Sequence, residues 1–373
     1  MVAVVSGHIC IDLVPTLRAP ACIDPGVLIE VGPLVAQPGG SVANTGRSLA
    51  ELGVPIRLAA GVGGDHLGSL LVQLLADLGM EAVAVRRHEG LTTSYSMVVE
   101  APQTDRTFWH HVGANEAFDG SDVELAGADV LHVGYPTILP ALVRHQGRAL
   151  RDLLARAAQH DVTTAMDMAT LDPGSPLAAL DWDQMFRRLL PLVGVFAPSV
   201  DDIVSVLGCV KPATPDEVAA LGRRLLRLGA AVVLLKAGAA GIYFCSADPQ
   251  RLRRAGAALA AVAESWACRE LWAPSMDVVV THTTGAGDAA VAGALYGLVA
   301  RYDAEAALGL AAGAAALRIS SARPLPHGDE LAARVGHDIR FVSFAARGWL
   351  PTDVGLARGP RDLVPITRST LGC

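Results

Sequence analysis

Short runs of apolar, largely β-branched residues alternate along this chain with stretches whose apolar residues recur at helical spacing, and that alternation limits the fold more than any other feature. Residues 2–5 form a fully apolar run closed by Ser6 and Gly7, as suits a strand buried on both faces of a parallel sheet. Strand-like residues 57–62 precede a helix-period stretch at 66–78, introduced by Asp65 as a good N-cap. Residues 130–133 precede 138–159, residues 163–168 precede 182–190, and residues 193–197 precede a helix near 200–207. Thr214-Pro215-Asp216-Glu217 is a capping box with proline at the first helical position, so 218–228 is predicted helical ahead of a strand at 232–236. This order implies an α/β fold, with a mostly parallel central sheet, helices on both faces and right-handed crossovers.

Two segments break the rhythm. Residues 13–38 carry Pro15, Pro20, Pro25, Pro33 and Pro38 among short apolar pieces such as 27–31, and residues 92–100 with 106–111 read as a pair of alternating strands. They either pair into a small sheet standing off the main one or serve as edge strands and surface loops. Beyond Arg340 the chain turns rich in proline and glycine, with Pro351, Pro360 and Pro365, which suits a draped or mobile tail.

Composition narrows the function classes. The 373 residues can bury a sizeable core, and 51% apolar against 18% charged residues excludes a disordered or fibrous chain. A net charge of −7 with scattered Lys and Arg argues against nucleic acid, whose backbone demands clustered cations. No apolar run reaches the ~18 residues of a membrane span, since 289–300 is cut off by Arg301, Asp303 and Glu305, so a soluble protein is expected. The first residues hold no cationic segment and Asp12 follows closely, which predicts no signal peptide. Cys10, Cys22, Cys209, Cys245, Cys268 and Cys373 lie far apart without a CxxC pair, so they read as reduced thiols in a cytoplasm rather than as zinc ligands or a disulfide scaffold.

The strongest local signal is Thr283-Thr284-Gly285-Ala286-Gly287-Asp288, between strand-like residues 278–280 and helix-compatible residues 289–300. A glycine-rich turn opening a helix points backbone N–H groups and the positive end of the helix dipole at one spot, which attracts an anion. Asp288 puts a carboxylate beside that spot, where it can accept a proton while the amides stabilise charge on a transferring phosphoryl group. Taken alone, the same residues read more readily as a tight bend with an ordinary N-terminal helix charge, because short glycine patterns are common. Gly285, Gly287 and Ala290 also fit a relaxed dinucleotide fingerprint, but the acidic residue it wants at the end of a following strand is missing, Glu305 falling in an Ala-rich helical stretch. No GxxxxGK[ST] loop occurs, which excludes a P-loop.

Gly39-Gly40-Ser41-Val42-Ala43-Asn44 runs into a helical stretch through Leu52. Paired glycines allow close approach to a ligand, and Asn44 can both donate to and accept from a hydroxyl; the alternative is a helix capped by Ser41 with Asn44 solvated. Asp12 follows the first strand, where the carboxyl ends of an open α/β sheet line a crevice, and suits two sugar hydroxyls or, equally, a solvated loop. Gly61-Val62-Gly63-Gly64-Asp65-His66-Leu67-Gly68 is a further glycine-rich strand exit, read as architectural.

Taken in this order, the loops resemble the PfkB or ribokinase-type sugar kinase family over roughly residues 1–330. Its N-terminal signature is similar to Gly39-Gly40-x-x-x-Asn44 running on into residues 61–68, and its C-terminal signature to residues 283–288, about 240 residues later. The resemblance implies a ribokinase-like kinase domain over 1–345, with a small β lid from about 13–38 and 91–112, and a C-terminal tail at 346–373. It implies ATP and Mg²⁺ as cofactors and a small sugar-like acceptor. Asp288 would deprotonate the acceptor hydroxyl, with the amides of Gly285, Ala286 and Gly287 on the transferring phosphate. Asp12, Gly39, Gly40 and Asn44 would bind the sugar, joined by Arg106 from a stretch similar to the family's lid-adjacent one. Lys236-Ala237-Gly238-Ala239-Ala240-Gly241 resembles the family's loop beside ATP, giving Lys236, Gly238 and Gly241 as nucleotide contacts; the other reading of Lys236 is a strand-end charge. His110 and His111 read as surface residues rather than metal ligands.

Departures from the pattern matter. His282 stands where the C-terminal motif usually begins with Asp, which puts monovalent-cation activation in doubt. Ser199-Val200-Asp201-Asp202 stands where the family often shows Asn-x-x-Glu; Ser199 then belongs to the nucleotide side, and Asp202 can still hold a metal-bound water. Residues 246–276 are longer than the usual connection. The expected activity is ATP-dependent phosphorylation of a hydroxyl, primary by preference, on a sugar or sugar-like molecule. Two alternatives stay open. A nucleoside kinase on the same scaffold would need aromatic faces, for which Tyr95, Phe108 and Trp109 are the nearest candidates in a chain only 5% aromatic; the other is a non-catalytic ligand-binding protein. A homodimer formed through the exposed lid is a further expectation.

Overall fold

A computed structural model describes residues 1–17, 25–82, 84–99, 106–335, 337–338 and 340–362. Its centre is an eleven-stranded sheet. Seven strands run parallel in the spatial order Val85–His88, Ile56–Gly63, Ala3–Gly7, Val130–Gly134, Thr163–Met166, Val195–Phe196 and Val232–Lys236. Ile242–Ser246, Glu270–Ala273, Ala357–Arg358 and Leu350–Pro351 continue it antiparallel. Because side chains alternate along each strand, neighbours feed opposite cores: Ala3, Val5, Val232 and Leu234 enter one, and Val4, Val233 and Leu235 the other. Helices Gly40–Glu51, Ala286–Val299 and Ala304–Ser320 cover the first face, and Pro140–Gln159, Trp182–Leu189 and Pro215–Arg227 the second. The expected α/β architecture is present, and its crossovers bring the carboxyl ends of the parallel strands to one edge.

A second sheet stands over that edge. Its order is Leu34–Gly39, Cys10–Pro15, Tyr95–Val99 and Thr107–His111, so the two rhythm-breaking segments do pair with each other. Residues 27–31 take no part in it: Val27, Leu28, Ile29 and Val31 are exposed, and the strand is formed a few residues later, opposite Cys10–Pro15. Parts of the expected lid, residues 18–24 and 100–105, fall outside the described residues, as does Cys22.

Two further expectations are corrected, and the long connection at 246–276 is accounted for. Residues 278–280 form no strand; Val279 and Val280 are exposed, and the edge that a strand would need is filled by Glu270–Ala273. The lengthened stretch 246–276 builds three short helices, Pro249–Arg253, Ala257–Ala261 and Ala263–Trp266, before that strand. Arg251 ties it down through 3.0 Å bonds to the carbonyls of Pro191 and Val193, and the Trp266 indole donates to the Tyr302 carbonyl at 2.8 Å. Residues 346–362 are built in rather than draped: Trp349 is buried against Tyr243, Trp272 and Phe344, and Asp362 accepts from Arg269 Nε at 2.7 Å. Residues 363–373, with Pro365 and Cys373, lie outside the description. Among the described residues, no helix is long and apolar enough to cross a membrane.

Candidate active site

Helix Ala286–Val299 starts at Gly285, whose φ of +79° is the left-handed conformation that glycine adopts without strain. No side chain caps this start, whereas Asp65, Asp181, Ser199, Thr214 and Asp303 cap the helices at 66–77, 182–189, 200–207, 215–227 and 304–320. The amides of residues 285–287 are therefore left without a side-chain cap, next to the helix's positive end. Lys236, at the end of its strand, reaches the same spot: a Cβ placed on Gly287 would lie 3.4 Å from its Nζ. Backbone amides and an ammonium thus converge where an anion is expected.

Asp288, one residue into that turn, is 5% exposed. Its Oδ1 accepts from the Thr45 hydroxyl at 2.9 Å and from the Tyr135 hydroxyl at 2.6 Å. Burial, and then the charge of Asp288, pushes the Tyr135 phenol well above its ordinary value, so it stays a donor. Both bonds fall on one oxygen; among the described residues nothing donates to Oδ2. The carboxylate is thereby held in one orientation with its second oxygen available to an incoming hydroxyl.

Behind Lys236 lies a second acid. Its Nζ donates to Asp167 Oδ2 at 2.6 Å, and Met168 N donates to Asp167 Oδ1 at 2.7 Å. Burial raises the Asp167 carboxyl to about 7, with Lys236 pulling the other way and Asp202 and Asp288 adding to the rise. Ser199 pairs backbone to backbone with Lys236, which puts the cap of helix Val200–Leu207 on this side. Asp202 completes that capping box: its Oδ2 accepts from Ser199 N at 2.8 Å and its Oδ1 from Thr170 Oγ1 at 3.2 Å. Both of its oxygens are occupied, and no group of three or more His, Cys, Asp or Glu among the described residues could hold a metal ion. Gly238 and Gly241 turn the tight hairpin after Lys236; Gly241 packs against the Ala273 carbonyl, whereas Gly238 faces open space.

The opposite wall is the root of the lid. Asp12, on Cys10–Pro15, is 5% exposed, and the Cys10 thiol donates to its Oδ1 at 3.4 Å. Burial pushes Asp12 up to about 6; the Cys10 bond opposes this, Asp288 adds to it and Arg106 opposes it. The glycine pair is required by these side chains. A Cβ on Gly39 would lie 2.4 Å from the Asp12 carboxylate, and one on Gly40, whose φ is +82°, would lie 2.5 Å from His8 Nδ1. Asn44 is half-buried one turn along that helix, and among the described residues its side chain makes no hydrogen bond. Arg106 reaches from the lid to the other wall, donating from Nη1 to Thr283 Oγ1 and Thr284 Oγ1 at 3.1 Å each. His111 is exposed as expected, but His110 is half-buried and turned toward His8, because its position alternates to the inner face of the lid sheet.

Asp12, Gly39, Gly40, Arg106, Lys236, Ser199 and residues 285–288 are thus gathered around one cleft between sheet and lid. Thr45, Tyr135, Asp167 and His8 belong to it too, and the sequence reading missed them. Thr45 directly follows the glycine-pair motif, which is a usable signal; Tyr135 and Asp167 sit just past strand ends far away in the chain. The glycine-rich exit at 61–68 is architectural, as expected: Asp65 Oδ1 accepts from Gly68 N at 2.9 Å, and its Oδ2 accepts from Thr93 N at 2.9 Å.

Comparison with known proteins bears on the fold and the family. A relative from Archaeoglobus fulgidus described as an uncharacterized sugar kinase is 26% identical over 263 residues, covering 69% of this chain and 88% of its own length. Arabidopsis thaliana ribokinase, solved complexed with ribose and ATP, superposes with a TM-score of 0.67 at 20% identity, over 89% of this chain and 97% of that one. The Burkholderia thailandensis nucleoside kinase, solved with inosine, gives 0.63 at 20% identity over 89% and 97% of the two chains. These structures establish a ribokinase-like fold. Residues 2–325, which carry every element of the cleft, match the family described as pfkB family carbohydrate kinase, and the chain belongs to that family.

Proposed function

We propose that the protein transfers the γ-phosphoryl group of ATP to a hydroxyl, by preference a primary one, of a sugar or sugar-like small molecule, with Asp288 as general base. One observation carries this reading: a buried carboxylate, fixed through one oxygen by Thr45 and Tyr135, lies beside an uncapped helix start and an ammonium. Pure binding needs no such base. The acceptor hydroxyl gives its proton to Asp288 Oδ2 as its oxygen bonds to the γ-phosphorus and the bond to the β-bridging oxygen breaks, releasing ADP. The amides of Gly285, Ala286 and Gly287, with Lys236, receive the charge on the migrating group. Ser199, Gly238 and Gly241 flank the nucleotide. Asp202 would hold Mg²⁺ through a bound water, and the ion would neutralise charge on the ATP phosphates. Asp12, Gly39, Gly40, Asn44 and Arg106 form the acceptor side. Phe108 and Trp109, 46% and 48% exposed, offer no enclosed slot for a base, which favours a sugar over a nucleoside.

The test is a phosphate-transfer assay with ATP and Mg²⁺ over a panel of sugars and nucleosides. Asp288→Asn should lose about 10²–10⁴ in kcat while binding ATP like the parent. Turnover within threefold of the parent refutes the assignment of the base. Silence of the parent protein toward the whole panel, despite measured ATP binding, replaces the kinase with a non-catalytic binding protein.

A further inference from the structure

His8 occupies the point where the first strand ends and the chain leaves the main sheet for the lid. It is 3% exposed, and neither ring nitrogen has a hydrogen-bond partner. His110, on the lid strand Thr107–His111, uses Nδ1 for a 3.0 Å bond with the Ser96 hydroxyl, while its buried Nε2 has no partner. The two rings lie 5.0 Å apart, and the Tyr135 ring lies 5.8 Å from His8. Since the Tyr135 hydroxyl touches Asp288 at 2.6 Å, the pair is one aromatic ring away from the base. Gly40 packs against His8 Nδ1 and fixes the ring in place. Buried polar atoms without partners are rare in folded proteins, each costing about 1–3 kcal/mol. Here two neighbouring rings at the root of the lid carry such atoms.

We infer that His8 and His110 together form a subsite that hydrogen-bonds an uncharged hydroxyl of the acceptor, remote from the one phosphorylated. The chemistry selects that group. Burial holds His8 well below its ordinary value and His110 at about 4, so both rings are neutral, each with one donor and one acceptor nitrogen. A hydroxyl donates and accepts from one atom and so can serve both rings. At these two rings a carboxylate or phosphate would find only neutral donors, with the Asp12 carboxylate packed on the neighbouring Gly39. The inference deepens the proposed function and rests on it: the acceptor is a neutral polyhydroxyl compound, and sugar acids and sugar phosphates are rejected.

The experiment uses the full chain, with calorimetric binding and steady-state kinetics for the panel sugar that binds best, its monodeoxy analogues, and the corresponding aldonic acid and sugar phosphate. His8→Phe and His110→Phe should each raise the acceptor Kd and KM about tenfold, the loss of roughly one hydrogen bond, with the KM for ATP unchanged. One deoxy analogue should bind the parent protein about tenfold more weakly, and His8→Phe should no longer tell it from the complete sugar. Unchanged acceptor KM in both variants would mean that the ring nitrogens hold only water, and overturns the subsite. So does preference for the acid or the phosphate, or binding of no neutral sugar. Should the variants fail to fold, equal affinity of the parent protein for every deoxy analogue overturns it as well. A sugar bound in a His8-dependent way yet never phosphorylated upholds the subsite and refutes the kinase.

Discussion

The two walls of the cleft treat charge in opposite ways. On the phosphate side, Lys236 is matched by Asp167 and Asp202 is fully engaged in its capping box. On the acceptor side, burial raises the Asp12 carboxyl to about 6 despite the Cys10 thiol beside it, and His8 and His110 hold nitrogens without partners among the described residues. The charged side chains Lys236 and Asp202 of the phosphate wall are partnered before any ligand arrives, leaving its uncapped backbone amides for the anion, whereas the side chains of the acceptor wall are finished by what binds there. Selectivity then belongs to the incomplete wall, since a group that leaves buried polar atoms unpaired is rejected most strongly.

Four substitutions probe that contrast. The largest effect is expected for Lys236→Met, which strands the Asp167 carboxylate; at pH 8 chemical denaturation should show a loss of about 3–5 kcal/mol. In the parent Lys236 holds the Asp167 carboxyl down at about 7; without the ammonium the acid keeps its proton to higher pH, so the deficit should shrink as pH falls from 8 toward 7 and level off below it. A deficit independent of pH would mean that the ammonium is not what satisfies this acid.

Asp12→Asn should do the reverse. A folded value of about 6 against an ordinary 3.8 means that stability is lost as pH rises from 4 through 6. The amide removes that loss, so the variant should be more stable than its parent above pH 6 by on the order of 3 kcal/mol, converge with it below pH 4, and lose acceptor turnover. A variant less stable at pH 8 would erase the distinction between the walls.

The smallest effects come from glycine. Gly287→Ala meets only the flexible tip of Lys236 at 3.4 Å within a helical turn, and should stabilise by roughly 0.5–1 kcal/mol. Gly39→Ala, with its Cβ 2.4 Å from Asp12, should instead raise the acceptor KM and leave the KM for ATP alone. Equal kinetic outcomes for the two would blur the comparison.

The sequence displays the phosphate wall more plainly than the acceptor wall, for a physical reason. Amides at a helix start and a strand-end lysine are local features, written in contiguous residues such as 283–288 and 236–241, just as Thr214 and Glu217 announce their own helix. The alternation that specified the parallel strands is likewise local. Contacts between walls and around the base are assembled from distant chain: Arg106 of the lid meets Thr283 across 177 positions, Tyr135 meets Asp288 across 153 and Thr45 meets it across 243. No short pattern encodes such meetings. Residues 278–280 misled for a related reason, because a β-branched run becomes a strand only where a sheet edge is open to it, and the edge here was taken. The two-residue strands at 350–351 and 357–358 are too short to show any period at all.

Those two short strands have a consequence for how the molecule meets its own copies. They turn the far margin of the eleven-stranded sheet into a stub ending in Pro351, moored through Asp362 and Arg269. A brief, proline-bearing margin is a poor template for recruiting a further chain, so growth of the sheet from molecule to molecule is blocked at that end. Crowded solutions should accordingly spare this protein fibre-like stacking through its central sheet, and loss of the closing segment would uncover the longer Glu270–Ala273 backbone to strangers.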